Sequence, residues 1–338
     1  MNPPPAPTGS EPGDAPAPGD APASGGPPAT GTDRRPARPT LGSDLKASLP
    51  DGLVALAVTA AVFALLLARI RSRESSTVSV MPFMADAEGF WMYFLSQAFG
   101  WAALLWAWLT VLLGLLLSGP RPRGLPVSGP RLERLHRTTS LNTIALIAAH
   151  ALLFAAELVR HDTARWHSRL YTAFVEAFVP GGYDSGTGQI AIPVGQAALY
   201  LALPLGLLFY VRHRIGPRTW RVLHRFVIVV YVLSVWHTLL YGTNVWYDGW
   251  FRTTVWLLQL PVAALLLVRL LRPARRSERL SRPGLAAPGR GRAAWGLRFG
   301  GRLAVVAVAL AILAVVVSGR DGGRTLPPAD TSSTHQHD

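Results

Sequence analysis

The 338-residue chain contains no cysteine. That removes the disulfide, the thiolate-ligated haem, the cysteine-held iron–sulfur cluster and covalent haem attachment through Cys-x-x-Cys-His. Any haem here is held without a covalent bond. Charge is also scarce: charged residues are 15% of the chain, hydrophobic ones 50%, and lysine occurs once, at Lys46. The net charge of +14 is therefore carried by arginine. In a water-soluble protein that excess would suggest a nucleic-acid partner. Here the arginines lie in short stretches between long apolar runs, where they set membrane topology, so no nucleic-acid partner is expected. Also missing is a charged start followed by an apolar core and a cleavage site, so the first span is expected to act as the signal anchor.

The apolar runs approach or exceed the roughly 20 residues needed to cross a bilayer. They predict an all-α membrane protein of about seven transmembrane helices, near 52–70, 91–118, 140–159, 190–211, 224–242, 252–271 and 302–318. Residues 1–48, dominated by Pro, Ala, Gly, Ser and Asp, read as a disordered tail. Residues 49–271 then form a six-helix transmembrane domain, 272–301 an arginine-rich cytoplasmic linker, 302–318 an additional C-terminal helix and 319–338 a polar tail. Arg121, Arg123, Arg131, Arg134 and Arg137 precede the third span, and Arg212, Arg214, Arg218, Arg221 and Arg225 the fifth. The positive-inside rule puts both stretches, and the N-terminus, in the cytoplasm, and seven spans put the C-terminus outside. Arg69, Arg71 and Arg73 run against that orientation. High Ala, Arg, Gly and Pro suggest a bacterial protein, and hence a bacterial plasma membrane with lipid as its first partner.

Two stretches read almost alike. Leu135-His136-Arg137 leads to His150, and Leu223-His224-Arg225 leads to His237. The histidines are fourteen and thirteen residues apart, so each pair spans roughly 20 Å of helix axis. With one span between them, the third and fifth helices run in the same direction. His136 then lies level with His224, and His150 with His237. Each pair can clamp a flat iron porphyrin through neutral imidazoles, which implies two stacked b-type haems with both axial positions filled. Such a centre suits electron transfer. Arg137 and Arg225 are placed to neutralise haem propionates beside the inner pair. One angle does not fit: thirteen residues of ideal helix leave His237 about 140° from His224, whereas fourteen bring His150 within about 40° of His136. A kink, a local tightening, or a His224 lying before the regular helix would re-aim the ring.

The His136/His150 and His224/His237 arrangement resembles the ferric-reductase-like transmembrane domain shared by metalloreductases and NADPH oxidases. The resemblance covers roughly residues 52–271. It implies a six-helix haem-binding bundle that carries electrons across the membrane from the cytoplasmic side. Those enzymes usually continue into flavin and nicotinamide domains, but residues 272–301 are too short for one, and no Gly-x-Gly-x-x-Gly lies between a strand and a helix. The expected donor is therefore a separate flavoprotein, a reduced flavin or a membrane quinol. The haem subunit of the periplasmic methionine-sulfoxide reductase system shows the same division.

The outer acceptor is expected to be a metal chelate such as ferric iron, or a protein, because segments 160–189 and 242–251 carry no dense His/Asp/Glu cluster. Two other readings stay open. One is a quinol-linked cytochrome b subunit, and the other a haem-free transporter or scaffold in which the histidines serve protons or packing. His161, His167 and His213 read as solvated interface residues, Glu157 as an acid near a helix end, and His335 and His337 as a tail without a specific task.

Overall fold

The computed structural model describes residues 40–119, 127–272 and 289–325, all within one compact unit. The described chain is helical throughout its ordered elements. In chain order these are α1 (Leu41–Arg71), α2 (Ser76–Val80), α3 (Trp91–Ser118), α4 (Gly129–His161), α5 (Trp166–Phe178), α6 (Gly188–Ile215), α7 (Pro217–His224), α8 (Val227–Tyr241), α9 (Trp250–Leu271) and α10 (Gly289–Ser318). Single 3-10 turns cover Pro82–Ala85 and Thr243–Val245. Among the described residues seven helices are long and apolar enough to cross a membrane, α7 and α8 together making one crossing. This is an all-α, multi-pass membrane protein.

Several helix starts precede the hydropathy reading, including those of α4 and α7, and two of them move domain boundaries. The first helix starts at Leu41 rather than near 52, so residues 41–48, read as the end of the tail, are helical. Thr40 and Ser43 form a capping box that fixes this start: the Ser43 amide donates to Thr40 Oγ1 and the Thr40 amide to Ser43 Oγ. The added turns carry Asp44, Ser48 and Asp51 on the face towards α4, and those polar residues are what a hydropathy window discounts. Asp44 pairs with Arg137, while Asp51 accepts from Asn142 Nδ2 at 2.6 Å and from Trp106 Nε1 at 3.1 Å. Residues 1–39 of the expected tail lie outside the described residues. The last helix likewise begins at Gly289, well ahead of 302, and linker residues 273–288 lie outside the described residues.

Helix α3 is the centre of the bundle, packed against α1, α4, α8 and α9. Its buried side chains include Ala98, Ala102, Ala103 and Ala107, small enough to let neighbouring backbones approach. A second apolar cluster joins Leu104 and Val111 of α3 to Val235 of α8 and to Phe251 and Val255 of α9. Helix α4 is more polar. Its buried Thr139 and Thr143 return their hydroxyls to the carbonyls of Leu135 and Thr139, at 2.9 and 2.7 Å, so both are paired within the helix.

Helix α10 packs on α9, and the chain after it turns back. The Asp248 amide donates to the Arg324 carbonyl at 3.0 Å and the Arg324 amide to the Trp246 carbonyl at 3.1 Å. Arg252, buried to 7% exposure, holds both partners: Nε lies 3.0 Å from Asp321 Oδ1, and Nη1 donates to the Val245 carbonyl at 2.7 Å. Residues 319–325 are thus strapped across the α8–α9 loop.

Candidate histidine-pair site

The four histidines of α4, α7 and α8 come together as two pairs. The ring centroids of His136 and His224 are 5.9 Å apart, and those of His150 and His237 6.1 Å. The angular misfit is taken up between α7 and α8. There, backbone bonds run to the third residue back: Arg225 to Val222, Phe226 to Leu223, Ile228 to Arg225 and Val229 to Phe226. A 3-10 turn advances about 120° per residue instead of about 100°, so four such residues recover roughly 80° of the missing 140°. His224 is also the last residue of α7, ahead of the regular helix that carries His237.

Three of the rings are held in one way. His136 Nδ1–H donates to the Thr110 carbonyl at 3.1 Å, His150 Nδ1–H to the Ser96 carbonyl at 2.8 Å, and His237 Nδ1–H to the Ala191 carbonyl at 2.7 Å. A carbonyl can only accept, so these bonds fix the tautomer and leave Nε2 with its lone pair. In every case a glycine follows the carbonyl by four residues: Gly114, Gly100 and Gly195. A Cβ there would meet the ring, at 3.2 Å from His136 Cε1, 3.1 Å from His150 Nδ1 and 2.6 Å from His237 Nδ1. The absent side chain opens the path by which the imidazole reaches the backbone acceptor of the preceding turn. These glycines and carbonyls escaped the sequence reading, although a signal existed: Gly100 and Gly114 are fourteen apart, as are His136 and His150.

Opposed imidazoles fit a metal-centred group. With metal–nitrogen bonds of about 2.0 Å, two rings on opposite sides of one ion have centroids roughly 6.3 Å apart, against roughly 5.1 Å at a tetrahedral angle. The observed 5.9 and 6.1 Å lie nearer the opposed value. Among the described residues no three His, Cys, Asp or Glu side chains gather as a metal site. Each pair therefore suits an ion whose other ligands come with it, as in a porphyrin. Beside the outer pair lies a cavity of about 150 Å³, walled by Tyr93, Gln97, Phe154 and Tyr241 as well as His150 and His237.

Arg137 and Arg225 are placed differently from one another. Arg137 Nε lies 3.1 Å from Asp44 and Nη1 3.0 Å from Glu133, so two carboxylates of the chain already engage it. Arg225 is exposed in the break between α7 and α8. The outer end also departs from the sequence reading. Glu157 is buried at 5% exposure, with His161 Nε2 2.8 Å from its Oε1, and the His161 ring stacks on Phe90 at 4.4 Å. From His237 an aromatic series runs through Tyr241, at 6.0 Å, to Tyr183, whose hydroxyl accepts from Tyr241 at 3.2 Å.

Residues 87–235 match the family described as ferric reductase like transmembrane component. That part of the chain is similar to a ferric-reductase-like transmembrane domain, a likeness that supports an electron-transfer role in the membrane. Proteins of this family generally bind haem and usually work with separate flavin or other redox partners. The match takes in His136, His150 and His224 and stops two residues short of His237. Comparison with curated proteins and with solved structures finds no match.

Outside the spans, partial burial and the carboxylates of Asp184 and Asp162 hold the Glu176 carboxyl above the usual range. A carboxyl that binds its proton more tightly when folded stabilises below its unfolded pKa, about 4.3, and that contribution is lost as pH rises through the raised value. Thermal unfolding in detergent should therefore occur at lower temperature as pH climbs from about 4 to 7. In Glu176→Gln this part of the slope should flatten.

Proposed function

We propose that the chain is a di-haem b transmembrane oxidoreductase subunit, in which His136 and His224 hold one haem and His150 and His237 the other. Electrons would come from a cytoplasmic flavoprotein, a reduced flavin or a membrane quinol, and leave for an outer acceptor such as a ferric chelate. The observation that carries the reading is the pairing itself: two sets of imidazoles with centroids about 6 Å apart, three of the four rings holding Nδ1–H on a backbone carbonyl and so keeping the Nε2 lone pair free.

When bound, haem supplies a one-electron couple at its iron. The protein contributes the rest. The Nδ1–H bonds raise the basicity of the ligating imidazoles and set their orientation. Held by two histidines, an iron at either pair would suit electron transfer better than oxygen chemistry. The Tyr241–Tyr183 series lines the way from His237 to the exposed α5–α6 loop.

The test is a reduced-minus-oxidised visible spectrum of the purified protein, expressed with ample haem, together with pyridine haemochrome quantification. Narrow low-spin b-type bands at two haems per chain are expected. A colourless protein would sink the reading in favour of a transporter or scaffold.

A further inference from the structure

The four histidines are not held alike, and the exception is His224. Among the described residues no hydrogen bond reaches its ring nitrogens, while His136, His150 and His237 each donate Nδ1–H to a carbonyl. Nor does a glycine cradle it: glycines face the other three rings, and the glycine of α6 nearest this level, Gly206, faces Ile144. What His224 has is a stacked ring. Trp220, one turn earlier in α7, lies 5.3 Å away at 20°. Trp220 is itself held without polar contacts, since its buried indole N–H has no partner among the described residues and its other ring contact is an edge-on one to Phe209 at 6.1 Å.

The element carrying both residues is equally lightly held. Helix α7 has eight residues, none of them buried. It is separated from α6 by Gly216, in the left-handed region at φ +83°, and from α8 by the run of 3-10 bonds around Arg225 and Phe226. Its packing is chiefly against α6. The partner ligand is held differently, because His136 sits two turns inside a 33-residue helix with its ring fixed between Thr110 and Gly114.

We infer that His224 is the exchangeable axial ligand: the inner site can open one coordination position towards α7, accepting a small neutral ligand such as carbon monoxide, while the outer site stays closed. This rests on the haem assignment made above. Trp220 is a positioning residue in this scheme, holding the His224 ring over the metal by stacking alone. Loss of a single hydrogen-bonded partner around a metal ligand typically weakens binding about 10- to 100-fold, so a ligand that never had one starts at that disadvantage.

The experiment uses the full chain in detergent, reduced with dithionite and exposed to carbon monoxide, with haem counted in each sample. Wild type should bind carbon monoxide at no more than one of its two haems. Trp220→Ala, which keeps all four histidines, should raise the reactive fraction several-fold. His224→Ala should keep both haems, one of them high-spin and fully reactive, whereas His136→Ala should lose the inner haem. Equal haem loss in His224→Ala and His136→Ala would overturn the assignment, and so would an unreactive Trp220→Ala protein. A carbon monoxide adduct of unchanged size in His136→Ala would overturn it too, by placing the open position at the outer pair. A haem-free wild type would instead remove the haem reading itself, and this inference with it.

Discussion

Gly195→Ala is expected to empty the outer histidine pair and leave the inner one filled, halving the haem content. The new Cβ would stand 2.6 Å from His237 Nδ1 and 2.8 Å from Cε1, closer than carbon tolerates, so the ring must move. It cannot do so while keeping its 2.7 Å bond to the Ala191 carbonyl, the bond that fixes its tautomer and aim. A control lies in the same helix. Gly206→Ala makes a contact just as short, 2.5 Å, but with Ile144 Cδ1, the far end of a side chain that can turn away. That variant should retain both haems. Gly100→Ala and Gly114→Ala, with contacts of 3.1 and 3.2 Å, should show intermediate losses at the outer and inner pair respectively. Haemochrome counts across the four variants test the order, and equal loss in all of them would show general helix disruption instead.

Arg137→Met should cause the largest loss of stability of any charge removal. Asp44 keeps 6% side-chain exposure, and Arg137 is its ion partner, with Tyr210 donating a second hydrogen bond at 3.0 Å. Removing one member of a buried pair strands the other, typically at about 3–5 kcal/mol. Thermal unfolding should shift down accordingly, and Asp44→Asn in the same background should restore most of the loss, because the stranded charge is then gone. If Arg137 acted solely on a haem propionate, its replacement would shift the inner haem's potential, leave stability unchanged and gain nothing from Asp44→Asn.

Much of this architecture is legible in the chain because its determinants are local. The run Trp91–Ser118 carries no charged residue, and hydropathy delimits it to the residue. The histidine spacing is likewise a property of two short segments, and depth alone dictates which rings face one another. Other features depend on contacts between segments far apart. The first turns of α1 are polar and become helical against α4, where Asp44 meets a residue 93 positions away. The carbonyls that lock the histidines belong to α3 and α6, and a backbone acceptor leaves no mark in a sequence except the glycine that uncovers it. The reversal in α7 and α8 was visible as a misfit of angle, yet its form was set by which turn of helix tightened. Glu157 looked solvated because it lies near a helix end, whereas the structure buries it at 5% exposure; His161 beside it is exposed, as expected.

The strap formed by residues 319–325 has a bearing on assembly. Ribosomes deliver the chain from its N-terminus, so Arg324 appears only after all seven described spans. Until then the Trp246 carbonyl, the Asp248 amide and the Arg252 side chain lack the partners they have in the finished protein. Thr243 and Asn244, a few residues away, bond through Gln97 into the wall of the outer cavity. The outer cavity is therefore walled early and braced late, once residues 319–325 have followed the last span and folded back.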